Sequence, residues 1–120
     1  MQRGLTLPPD IIKRSGQRER YDRQKITSAL DKAFRATGTE AGTDRLEALT
    51  LRVEALIHEA LEGGAPFTVE KVQDMAEQAL MEADCYPQAK AYILYRDVRR
   101  KKREEREGLL AHFPDYPPLK

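Results

Sequence analysis

The sequence predicts an α+β domain, mostly helical, in which a small β-sheet accompanies four helices. Three observations carry that reading. Apolar residues recur at helical spacing in four separate stretches, Gly and Pro punctuate the intervals between them, and one short segment near the start has the pattern of paired strands. At 120 residues the chain fits one unit with a single core, too short for a catalytic domain joined to a regulatory one.

The opening residues 1–9 carry Gly4 and the pair Pro8-Pro9 and read as a flexible lead-in that could be removed at little cost. Ile11-Ile12-Lys13-Arg14, a Ser15-Gly16 turn, and Gln17-Arg18-Glu19-Arg20-Tyr21 then read as a β-hairpin. Strand alternation would send Lys13 and Arg14 to opposite faces. Asp22 stands at an N-cap position, before Ile26, Ala29, Leu30, Ala33 and Phe34, which share one helical face up to Gly38. A loop of Gly and Thr follows, and Thr43 or Asp44 is placed to cap a second helix. Its stripe runs through Leu46, Leu49, Val53, Leu56, Ile57, Ala60 and Leu61 and stops at Gly63-Gly64.

Pro66-Phe67-Thr68-Val69 is β-prone and has room for a third strand, while Thr68 can cap the next helix with Glu70 at its favourable positive end. That third helix buries Val72, Met75, Ala76, Ala79, Leu80 and Ala83. Asp84-Cys85-Tyr86-Pro87 interrupts the pattern, and a fourth helix opens near Pro87 with Ala89, Tyr92, Ile93 and Arg96 facing inward. The charged run from Arg99 to Glu107 extends it into solvent. Phe113 to Lys120 is Pro-rich and reads as an extended arm, a linker or a tail docked on a partner. The expected organisation is a lead-in over 1–9, a domain over 10–103, and a helix end with its tail over 104–120.

Composition narrows the function. Lys and Arg number 21 against 20 Asp and Glu, a net charge of +1, so no global field draws the chain to a polyanion and any such site must be local. Cys85 is the single cysteine, which excludes an internal disulfide and a cysteine-built zinc site and points to a reducing cytoplasm. The apolar runs are too short to span a membrane. His58 and His112 have no nucleophile or metal-ligand partner at a recognisable spacing, and Cys85 reads as a packed small group. Neither a Walker loop nor a dinucleotide fingerprint occurs, so a nucleotide site would have to be built another way.

Local cation density marks one place for such a site. Lys13 and Arg14 precede the hairpin turn, Arg18 and Arg20 follow it, and Lys25 opens the first helix, where backbone N–H groups favour an anion. Taken alone, the basic stretch reads better as an edge strand guarded by charge. Glu19 among these cations has a use as acceptor for an amino group or a ribose hydroxyl, and otherwise is a surface ion pair of small worth. Tyr92, Arg96 and Arg99 share one face of the fourth helix, as core aromatic with a solvent rim or as cations beside an aromatic.

In order along the chain, Lys13-Arg14-Ser15-Gly16, Glu19, Tyr21-Asp22, Lys25-Ile26, Thr68-Val69-Glu70-Lys71-Val72-Gln73-Asp74 and Ala91-Tyr92-Ile93-Leu94-Tyr95-Arg96 resemble the ATP-cone domain, from Ile11 to about Lys102. The resemblance implies a four-helix bundle capped by a small three-stranded sheet, with the adenine nucleotide between sheet and helices. It implies that Lys13, Arg14, Lys25 and Arg99 meet phosphates, with Arg96 one turn away as the competing candidate for the last of these. Ile11, Glu19, Val69 and Gln73 would line base and sugar. Ser15 stands where family members often have Asp, a turn-competent exchange.

The implied function is that of an allosteric regulatory domain rather than an enzyme. ATP or dATP, with Mg²⁺ held chiefly by phosphate oxygens, would control a ribonucleotide reductase catalytic domain or subunit through oligomerisation, including self-association. The zinc-dependent repressor that uses the same cone needs a four-cysteine ribbon, which one cysteine does not allow. A nucleic-acid module resting on Arg99-Arg100-Lys101-Lys102-Arg103 is disfavoured, because Glu104, Glu105 and Glu107 can neutralise that run. A helical interaction module without a nucleotide ligand is the remaining alternative.

Overall fold

The computed structural model describes residues 7–112, with side chains through residue 107. Strands β1 (Asp10–Ile12) and β2 (Arg18–Arg20) precede helices α1 (Arg23–Ala36), α2 (Thr43–Glu62), α3 (Val69–Glu82) and α4 (Tyr86–His112). The strands pair antiparallel with Ile11 opposite Glu19. Because β1 ends at Ile12, Lys13 and Arg14 belong to the connecting loop, and strand alternation does not separate them. Lys13 N–H donates to the Gln17 carbonyl at 2.8 Å and Gly16 N–H to that of Lys13 at 2.9 Å. Gly16 sits at φ +91°, a conformation that favours glycine.

The third strand expected around Pro66–Val69 is reduced to one parallel bridge between Ile12 and Thr68, beside a hydrogen bond from Ile12 N–H to the Phe67 carbonyl at 3.0 Å. Thr68 is the reason. Its hydroxyl accepts from Lys71 N–H at 3.1 Å as the N-cap of α3, so the chain turns helical at Val69 before a ladder can form. The sheet proper is two-stranded.

Asp22 caps α1 as expected, its carboxylate accepting from Gln24 N–H at 3.0 Å. Helix α2 starts differently from expectation: Gly42 at φ +87° is the N-cap, and Thr43 and Asp44 lie in the first turn, where Asp44 faces the positive end of the helix dipole. Leu30, Phe34, Val53, Ile57 and Leu80 are fully buried at the centre of the bundle, each worth about 1.5–3 kcal/mol of apolar transfer. Thr50 is buried with them, its hydroxyl 2.8 Å from that of Thr27 and 2.8 Å from the Leu46 carbonyl. Burial therefore leaves it satisfied.

Helix α4 packs on α1 and α3. Ala89 and Tyr92 are buried, but Ile93, expected to face inward, is 42% exposed. One residue past Tyr92 is about 100° around the helix, which carries Ile93 off the contact strip. The lead-in is anchored where it is described: Leu7 packs partly on the core and the Pro9 carbonyl accepts from Tyr21 N–H at 2.8 Å. Residues 1–6, the Pro-rich segment 113–120 and the side chain of His112 lie outside the described residues.

Candidate functional site

An open cavity of about 940 Å³ lies between the hairpin, one face of α1, α3 from Val69 to Glu77 and the middle of α4. It gathers all nine residues singled out from the sequence: Ile11, Lys13, Arg14, Glu19, Lys25, Val69, Gln73, Arg96 and Arg99. Each element contributes for a local reason. The hairpin loop brings Lys13 and Arg14 to one rim, and α1 presents Lys25, Ala29 and Lys32 from a single face. The cap at Thr68 aims the first turns of α3, with Val69, Val72, Gln73 and Ala76, into the same space.

The charges there do not balance. Nine cations and five carboxylates line the cavity, while the whole chain carries only +1. Glu19 lies between two of the cations, 3.8 Å from the Lys13 ammonium and 3.2 Å from that of Lys25. Arg14 reaches Glu70 at 3.7 Å. These pairs are half-exposed and weak, so an anion can exchange with them at little cost.

Arg99 donates to the Tyr95 hydroxyl at 3.2 Å and lies 5.8 Å from the centre of its ring, and this hydrogen bond holds the Tyr95 hydroxyl below the usual tyrosine range. Arg96 is committed elsewhere. It donates to Gln73 at 2.9 Å and pairs with Asp74 at 3.0 Å and with Glu77. Burial works against its charge, but the two carboxylates outweigh burial and raise its pKa. Tyr92 at the back of the cavity is pushed up to about 12 by burial.

Sequence reasoning missed Lys32 and did not assign Tyr95 or Ile93 to the site, although all three line the cavity. Lys32 was detectable: Lys25, Ala29 and Lys32 are spaced four and three apart, which aligns them on one helix face. Arg103 also reaches the cavity, and its Nε is buried without a hydrogen-bond partner among the described residues. Outside the cavity, His58 is half-buried against Glu62 at 3.7 Å, and the Cys85 thiol packs near the Ala83 carbonyl. Among the described residues no three His, Cys, Asp or Glu side chains are grouped to hold a metal ion, and no helix is long and apolar enough to cross a membrane.

The family model of the ATP cone domain matches residues 9–101. The chain belongs to the ATP-cone family. The match runs from the residue that anchors the hairpin to the charged run of α4, so it takes in almost every residue around the cavity of this cone. The ribonucleoside-diphosphate reductase subunit alpha of Treponema pallidum (strain Nichols) is 37% identical over 108 residues, covering 88% of this chain and 13% of that protein. The protein of the same name from Chlamydia trachomatis serovar D is 38% identical over 104 residues, 81% of this chain and 10% of that one. A transcriptional repressor NrdR of Prochlorococcus marinus is 30% identical over 98 residues, 82% of this chain and 60% of that protein. The cone thus spans a small part of the reductase subunits that it matches.

Proposed function

We propose that this cone binds an adenine nucleoside triphosphate, ATP or dATP, in the 940 Å³ cavity and acts as an allosteric regulatory domain of a ribonucleotide reductase in the cytoplasm. The observation that carries the reading is the local excess of cations next to an apolar wall, in a chain that is otherwise electrically balanced. Lys13, Arg14 and Lys25 take the phosphates, with Arg99 as the cation from α4. Arg99 is preferred to Arg96 because two carboxylates already neutralise Arg96. Ile11, Val69 and Gln73 border the base and sugar. Once phosphate occupies Lys13 and Lys25, Glu19 is released from both and can accept from a ribose hydroxyl or an amino group.

Mg²⁺ would ride on the phosphate oxygens. The domain carries out no chemistry of its own in this reading; its output is a change in assembly with the reductase body or with a second copy. Such a switch requires ATP and dATP to prefer different assemblies, since a ligand of equal affinity for both states shifts nothing. The basic run of α4 is partly neutralised, which weighs against a nucleic-acid reading: Arg100 pairs with Asp97 and Glu104, and Lys101 with Asp97.

Calorimetric titration with ATP and with dATP in Mg²⁺, followed by size-exclusion of the same samples, tests the proposal. The expected result is saturable heat with a size that depends on the nucleotide, and a thermal stabilisation of about 2.7 kcal/mol at a hundred times Kd. No heat and no thermal shift would overturn nucleotide binding. Binding at constant size would overturn self-association.

A further inference from the structure

Six residues of α3 line the cavity, and three of them have polar ends: Glu70, Gln73 and Glu77. Glu70 is engaged by Arg14 and Glu77 by Arg96. Gln73 remains, half-buried, with its side-chain oxygen accepting from Arg96 Nε at 2.9 Å. Arg96 is in turn fixed through Nη1 by Asp74 at 3.0 Å and by Glu77, so its Nε and Nη1 are both engaged. A guanidinium donates and never accepts, so Gln73 can meet it only through the carbonyl end of its amide. The amide NH₂ is left to donate, and no protein acceptor takes it among the described residues.

Resting on the nucleotide reading above, we propose that Arg96 is a positioning residue that locks Gln73 as a hydrogen-bond donor toward the base, and that this lock selects adenine over guanine. The ring nitrogen N1 of adenine is an acceptor, whereas N1 of guanine carries a hydrogen and donates. A fixed donor pairs with the first and opposes the second, leaving two N–H groups facing one another. The lock is essential to the discrimination. An amide free to turn about its last torsion, which is broad and two-fold, would offer its oxygen to guanine as readily as its NH₂ to adenine. Arg96 therefore acts on the base without touching it, and its pairing with Asp74 and Glu77 holds the guanidinium still.

The test is competition binding of ATP, GTP and inorganic tripolyphosphate to the full chain in Mg²⁺, for the wild type, Gln73→Met and Arg96→Lys. Methionine keeps the length and helical preference of glutamine without its donor. Lysine keeps a positive charge opposite Asp74 and Glu77 but lacks the planar fork that also holds the amide. The wild type is expected to prefer ATP over GTP by about tenfold or more, and each variant to narrow that ratio by about tenfold, the worth of one hydrogen bond. Tripolyphosphate has no base and reports the phosphate end separately, while melting temperature reports the fold. A wild type that binds GTP as well as ATP, or a ratio unchanged in either folded variant, overturns the proposal and leaves nucleotide binding standing. A wild type that binds no nucleotide overturns the reading on which it rests.

Discussion

Two cavities of the domain draw on the same residue types, and they differ in how their charges balance. The smaller, about 650 Å³, lies between α2, the end of α3 and the start of α4, and sets Arg45 and Arg52 against Glu82 and Asp84. Arg52 makes two bonds to the Glu82 carboxylate, at 2.7 and 3.2 Å, and the Arg45 guanidinium lies 5.3 Å from the centre of the Phe34 ring. The larger cavity has nearly twice as many cations as carboxylates, and its ion pairs to Glu19 and Glu70 are longer than the Arg52–Glu82 pair. Arginine by itself does not mark an anion site. What distinguishes the larger cavity is cationic charge that its own carboxylates do not cancel.

The largest expected effect removes the ground that both cavities share. Phe34 is fully buried on the inner face of α1, and Phe34→Ala should cost about 3–5 kcal/mol in urea unfolding. A loss below about 1 kcal/mol would mean that α1 is held by something other than its core face. Next in size is the direct contrast between the cavities. Lys13→Ala should weaken ATP binding by about tenfold or more at an unchanged melting temperature, because Lys13 sits on an exposed loop and, in the proposed site, would give phosphate one charge-assisted hydrogen bond. Arg52→Ala removes the same charge from the smaller cavity and should leave ATP affinity where it was. Equal losses in the two variants would break the comparison.

Smaller effects sharpen it. Thr68→Ala removes the cap that aims α3 at the larger cavity and should cost about 1 kcal/mol of stability. ATP affinity should fall with it, because Val69 and Gln73 depend on where α3 begins. The smallest effect is one of pH. The Arg52 hydrogen bond holds the Glu82 carboxyl below the usual carboxylate range, so its stabilisation is present above the ordinary carboxylate pKa and is lost as pH falls through the lowered value. Acid unfolding of Glu82→Gln should therefore be slightly less steep than that of the wild type. A steeper transition would contradict the sign. Both partners are exposed enough for solvent to keep the effect small.

Much of the fold was legible because it depends on local rules. The stripe of Ile26, Leu30, Ala33 and Phe34, the cap at Asp22 and the stop after Leu61 each follow from periodicity or capping within a few residues. The departures arise where two local preferences competed. Pro66–Val69 can form a strand or start a helix, and the cap at Thr68 decided for the helix. Lys13 and Arg14 were legible as a pair of cations, but not as loop residues, because strand length depends on where the partner strand ends. Ile93 follows an inward Tyr92 in sequence and still faces out, since the width of the α4 contact strip is set by α1 and α3.

What the sequence determined by itself is the order of the hairpin and helices, the caps at Asp22 and Thr68 and the apolar stripes of α1 and α2, while the resemblance supplied the nine candidate residues. Only the tertiary structure decided which partners those residues meet. Arg96 and Arg99 are chemically alike and lie one turn apart, yet one is bonded to Gln73, Asp74 and Glu77 while the other rests on a tyrosine. The reason is that Asp74 and Glu77 belong to α3, some twenty residues earlier in the chain. Periodicity tells which face a side chain occupies; what stands opposite that face is set by how the helices pack.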